Sequence, residues 1–93
     1  MTITNQQLDI ERERINAIDA RILNMLENRF LVAERIGEIK KELKMPIFQP
    51  QREKEILEAI RGSCTNSEFI VPIFQRIMQQ SRKLQEALTC KSV

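Results

Sequence analysis

Apolar residues recur through the first half of the chain at Leu8, Ile15, Ile18, Ile22, Met25, Val32, Ile36, Ile39 and Leu43. The gaps are three, four or seven residues, which places all nine on one stripe of a single helix with a heptad-like seam. No proline falls between Met1 and Met45, and Gly37 is the one glycine there, so the pattern predicts an unbroken helix over residues 6–43. At 1.5 Å per residue that helix is about 57 Å long. A compact chain of 93 residues has a radius of gyration of about 12 Å, hence a diameter near ~32 Å. The seam outruns the domain that carries it and needs a second chain to cover it. A two-fold homodimer is the commonest solution.

Met45-Pro46-Ile47-Phe48-Gln49-Pro50 ends the long helix. Pro50 suits the first turn of a second, short helix over residues 50–61, with Gln49 near its cap and Gly62 as the residue that stops it. Its inward face carries Ile56, Leu57 and Ile60. Ser63-Cys-Thr-Asn-Ser67 reads as a polar loop. A third helix is expected over residues 68–89, with the stripe Ile70, Ile73, Phe74, Ile77, Leu84 and Leu88 and with Pro72 near its first turn. The expectation is therefore one all-α domain, residues 1–93, of three helices, one very long, intertwined with a second copy.

Polar residues that occupy apolar slots carry the chemistry. Arg29 takes one position of the seven-residue series Leu8, Ile15, Ile22, Arg29, Ile36, Leu43. Lys40 follows eleven residues later, about 20° away around an α-helix, so the two cations share a face three turns apart. On the third helix Ser81 sits between Ile77 and Leu84, and Gln85 follows one turn on. On the second helix Arg52 and Glu53 precede Ile56 and Leu57 by one turn and belong to the inward half. Arg12 lies seventeen residues before Arg29, about 260° away on the same helix, and can serve such a site only in the partner chain. Each residue also has a plain structural reading. Arg29 could form a buried ion pair with Glu27 or Glu34, Ser81 could bond back to the i−4 carbonyl, and Arg12, Arg52, Glu53 and Gln85 could be ordinary surface groups. Geometry alone gives a cationic interior pocket for a small anion.

Composition narrows the chemistry further. Histidine is absent, which removes Ser/His and Cys/His nucleophilic schemes. Two distant cysteines, Cys64 and Cys90, make no zinc site and are expected to be free thiols, so no metal is expected. The two glycines form no phosphate-binding loop. A net charge of +2 with no Trp or Tyr gives no footprint for nucleic acid. No apolar run is long enough for a membrane span. The opening Met1–Gln7 lacks the basic and apolar regions of a secretion signal, so a cytoplasmic location is expected.

Four motifs then occur in order. They are Arg12-Glu13-Arg14-Ile15-Asn16-Ala17-Ile18-Asp19; Leu26-Glu27-Asn28-Arg29 followed by Ile36-Gly37-Glu38-Ile39-Lys40; Pro46-Ile47-Phe48-Gln49-Pro50-Gln51-Arg52-Glu53; and Phe74 through Ser81 to Gln85. Together they closely resemble the AroQ-class chorismate mutases over about residues 8–88. The motif positions coincide with the polar residues already singled out by the seam. The resemblance implies an all-helical homodimer that rearranges chorismate to prephenate in aromatic amino-acid biosynthesis, with no cofactor. It implies that Arg29, with Arg12 from the partner, holds the substrate's two carboxylates, which suit the planar guanidinium fork. Lys40 and Gln85 would donate to the ether oxygen, Glu53 would accept from the ring hydroxyl, and Arg52 and Ser81 would orient the site. Gln49 stands where the family usually carries an aspartate that helps to bind the hydroxyl. Glutamine is longer and uncharged but still hydrogen-bonds. Isochorismate pyruvate lyases and aminodeoxychorismate mutases use a similar pocket on the same fold, and a non-catalytic helical regulatory module is the third reading.

Overall fold

The computed structural model describes residues 2–91, with backbone only for residues 89–91; the thiol of Cys90 lies outside the described residues. The chain is all-α: α1 spans Asn5–Glu42, α2 Pro50–Ser63 and α3 Ser67–Lys91. No strand occurs among the described residues. None of the helices is long and apolar enough to cross a membrane.

Both ends of α1 are fixed by side-chain and turn chemistry. At the start, the Gln7 backbone N–H donates to Thr4 Oγ1 (3.2 Å) and the Thr4 N–H donates to Gln7 Oε1 (2.8 Å), a reciprocal capping box. At the end, the Met45 N–H reaches the Lys40 carbonyl (2.8 Å) and the Lys44 N–H reaches the Lys41 carbonyl (3.1 Å). That pair of bonds is a Schellman stop, and it forces Lys44 to φ 56°, a left-handed conformation that suits glycine better than lysine.

Pro50 opens α2, where its missing N–H is no loss, and the Glu53 N–H bonds the Gln49 carbonyl (3.1 Å). The expected stop at Gly62 does not occur. The helix runs through Gly62 to Ser63, and no glycine adopts a positive φ. Side chains satisfy the last carbonyls instead: Ser63 Oγ donates to Ala59 O (2.7 Å) and Cys64 Sγ to Ile60 O (3.2 Å). In α3, the Asn66 carbonyl accepts from the N–H groups of both Phe69 and Ile70. Pro72, expected near the first turn, lies inside the helix as its sixth residue, beyond the first four N–H groups, so it removes the bond that residue 72 would otherwise donate to the Glu68 carbonyl.

The chain divides into two units, one ending at Leu31 and one beginning at Val32. In the first, α1 keeps almost every side chain in solvent; only Leu26, Arg29 and Phe30 are half-buried. In the second, α2 packs on α3, and the last turns of α1 meet α3. Ile56, Leu57 and Ile60 of α2 are half-buried. The buried line of α3 is Val71, Met78, Ser81 and Gln85, with Phe74 half-buried between them. Ile73, placed on the stripe by spacing, is 58% exposed because the line turns through Val71 instead.

Candidate active site

Within the second unit, three helices each contribute a charged or amide side chain to one cluster. Lys40, in the last turn of α1, is half-buried and donates from Nζ to the Ile47 carbonyl in the following loop (2.8 Å). Burial lowers its pKa below the ordinary lysine value of 10.5, and the negative charge of Glu53 on α2 pulls partly the other way. The cation is thus partly stripped of water beside a single carboxylate. A charge held this way is stronger toward a ligand than one in bulk solvent.

Glu53 is in turn held from α3. Arg82 Nη1 donates to both carboxylate oxygens, at 2.5 Å, and both side chains are about three-quarters buried. The Arg82 guanidinium also stacks on the Phe48 ring, 4.5 Å from its centroid. The sequence reasoning did not select Arg82. A signal was present: Arg82 lies one turn after Met78 and one turn before Gln85, so it flanks the buried line rather than the solvent face.

Gln85 is one of the most buried residues of the chain, at 5% exposure. Its Nε2 donates to the Ala33 carbonyl across the α1–α3 contact (2.8 Å). Gly37 makes that approach possible, since a Cβ there would lie 3.0 Å from Gln85 Cγ and 3.3 Å from its Cβ. Gly37 and Gln85 are therefore one structural unit, and Lys40 follows Gly37 by a turn. Ser81, also buried, donates from Oγ to the Ile77 carbonyl (2.9 Å), which is the back-bond that its plain structural reading anticipated.

Other positions fall elsewhere. Arg52, expected on the inward half of α2, is exposed and lies 3.9 Å from Glu55. The inward register of α2 runs through Glu53, Ile56, Leu57 and Ile60, which turns the preceding residue outward. Gln49 donates from Nε2 to the Pro46 carbonyl (2.8 Å) and so ties its own loop. In the first unit, Arg29 is half-buried, whereas Arg12 is exposed and 3.6 Å from Asp9.

A buried amide, a partly desolvated lysine and an anchored glutamate can stabilise charge that develops on a bound ligand. Comparison with known proteins points the same way. A family profile described as chorismate mutase type II matches residues 11–86. The chain belongs to the chorismate mutase type II family. Among curated relatives, it is 34% identical over 79 residues to a chorismate mutase of Methanocaldococcus jannaschii, covering 81% of this chain and 80% of that one. It is 34% identical over 90 residues to a bifunctional chorismate mutase/prephenate dehydratase of Aquifex aeolicus, covering 89% of this chain but 25% of the relative. The chain therefore spans about a quarter of that bifunctional relative, and it matches the Escherichia coli K12 protein of the same description over 24% of its length at 30% identity. Among solved structures, a conserved hypothetical protein from Pyrococcus furiosus superposes with a TM-score of 0.76 at 33% identity, over 88% of this chain and 99% of that one. The chorismate mutase resemblance of the four motifs and the all-helical fold are thus both supported.

Proposed function

We propose that this chain converts chorismate to prephenate without a cofactor, as one catalytic domain in a cytoplasmic homodimer. The observation that carries the reading is Lys40, a cation partly desolvated beside Glu53 in a chorismate mutase chain. The rearrangement is unimolecular: the ether C–O bond breaks as a C–C bond forms, and no proton or leaving group departs. The protein must select the reactive conformer and stabilise the negative charge that develops on the ether oxygen.

Lys40 supplies that stabilisation. Its ammonium carries three N–H donors, so the bond to Ile47 O fixes the head without preventing donation to a ligand. Gln85 is the second donor; an amide nitrogen carries two N–H groups, so anchoring on Ala33 and donating to a ligand are compatible. Glu53 accepts from the ring hydroxyl. Arg29 and Arg12 of the partner subunit hold the two carboxylates, and Gln49 lines the loop side. Ser81 and Arg52 orient a carboxylate by exchanging their contacts in the single chain, Ser81 the O–H bond to the Ile77 carbonyl and Arg52 the approach to Glu55. The dimer is supported by the seam of α1, where Ile15, Ile18, Ile22 and Met25 are 50–60% exposed in the single chain.

The deciding experiment is incubation of the purified protein with chorismate at neutral pH, with products separated and identified. Prephenate is expected. Pyruvate release from isochorismate alone, or turnover of aminodeoxychorismate alone, would move the chain to another reaction on the same fold. The shared site has its own test: Arg12→Ala mixed with Arg29→Ala should recover on the order of a quarter of wild-type activity, since half the dimers are hybrid and each hybrid holds one intact site. No recovery after verified subunit exchange would reject the donation of Arg12.

A further inference from the structure

We infer that Arg82 is a positioning residue for the reaction, fixing the Glu53 carboxylate that receives the substrate's ring hydroxyl. The inference rests on the chorismate mutase reading and deepens it.

The geometry is specific. Glu53 enters from α2 and Arg82 from α3, so their ion pair crosses between helices and ties the wall that carries Glu53 to the helix that carries Ser81 and Gln85. It is not a surface pair of the kind that contributes little, because only 25% and 22% of the two side chains remain exposed. The guanidinium itself is held, with one face on the Phe48 ring in the loop that leads into α2. Arg82 therefore bridges the loop, α2 and α3.

Two features of this chain make such an anchor necessary. The loop residue Gln49 is an uncharged amide whose Nε2 is tied to the Pro46 carbonyl, so Glu53 is the carboxylate of this wall. Glu53 also lies close enough to Lys40 to raise its pKa. A glutamate free to swing could close on the Lys40 ammonium and tie up the charge meant for the ether oxygen. Arg82 prevents this by engaging both oxygens at once. Because a single nitrogen, Nη1, reaches both oxygens, an ammonium in the same place can reproduce much of the hold.

The test compares Arg82→Leu, Arg82→Lys and Glu53→Gln, alone and combined, with folding checked by circular dichroism. Arg82→Leu keeps apolar contact with Phe48 and should lower kcat/KM about 10–100-fold, the range for a reacting group displaced by about 1 Å. Arg82→Lys should restore most of that loss. If Arg82 acts through Glu53, adding Arg82→Leu to Glu53→Gln should cost little more, because coupled residues are not additive. Equal losses in both backgrounds, or an Arg82→Leu enzyme within twofold of wild type, would overturn the inference while leaving the reaction assigned. If Arg82→Leu does not fold, Arg82→Gln, which removes the charge but keeps a polar side chain of similar reach, is compared in the same two backgrounds: a loss confined to the Glu53 background supports the inference and equal losses overturn it. A folded wild-type protein that leaves chorismate unchanged would overturn both the reading and the inference.

Discussion

The two units of the chain differ in what they bury. Up to Leu31, α1 exposes its apolar stripe: Ile15 is 56% exposed, Ile22 51% and Met25 60%. From Val32 onward, the buried set includes the polar Ser81 and Gln85 at 8% and 5%, as deep as the apolar Ala33, Val71 and Met78. A chain selected for stability as a monomer would do the opposite. On the proposed reading the first unit supplies the interface of the dimer and the second the wall of the pocket, with Ser81 and Gln85 held in that wall by backbone carbonyls.

The largest effect should come from emptying the pocket of its charge. Lys40→Ala removes the group proposed at the ether oxygen and should reduce turnover by about 10²–10³-fold or more, as for other oxyanion donors, with the helices intact. Stopped assays on a folded variant measure this; a loss below about tenfold would assign the stabilisation elsewhere.

The next test breaks the interface and leaves the pocket residues untouched. Ile22→Glu adds a charge to a side chain already half in solvent. In a monomer such a surface change shifts stability by only about 0.5 kcal/mol. If a second chain covers the seam, the buried carboxylate is unpaired, and sedimentation should show dissociation with loss of helicity and activity. An unchanged sedimentation coefficient and melting curve would mean that this stripe faces solvent in the working protein.

A third test uses pH to read the pocket alone. The charged neighbour of Lys40 on α2 is Glu53, which in turn is paired with Arg82 of α3; the loop supplies the neutral Ile47 carbonyl and α3 the neutral Gln85. The folded pKa of Lys40 lies below 10.5, so the native state binds fewer protons than the unfolded chain between the two values. Stability should therefore rise with pH through that window while activity falls, because catalysis needs the ammonium. The alkaline limb of kcat/KM should sit below the ordinary lysine value. Glu53→Gln removes the charge that raises this pKa, so the limb should move further down. A limb that stays in place would place Lys40 outside the rate-determining ionisation.

These contrasts also show which features the sequence made legible. The long helix and the shared face of Ser81 and Gln85 followed from periodicity, and the end of α1 and the start of α2 from Pro46 and Pro50, because all depend on neighbours within a turn or two. That Gln85 is buried rather than a surface group came from the structure. Arg82 was missed because its importance lies in a contact with Glu53, 29 positions away, and no helical period reports such a contact. Arg52 was placed inward since one residue of register, about 100° on an α-helix, separates it from Glu53. Gly62 was read as a stop because glycine favours that role, but Ser63 and Cys64 cap the carbonyls with their own side chains and the helix continues.

The smallest effect lies at the junction between α1 and the loop, where local preference was overridden at a cost. Lys44 holds φ 56° to close the Schellman stop that presents Lys40 and Ile47 to each other. A non-glycine residue in that conformation costs about 1–2 kcal/mol. Glycine would relieve it but lose more freedom on folding, which offsets about 0.5–1 kcal/mol. Lys44→Gly should therefore stabilise the protein by roughly 0.5–1 kcal/mol, a rise in Tm of a few degrees for a chain of this size. Activity should stay at the wild-type level, since the Lys44 side chain is exposed and takes no part in the pocket. A fall in Tm would show that the lysine side chain contributes more to the turn than its backbone costs.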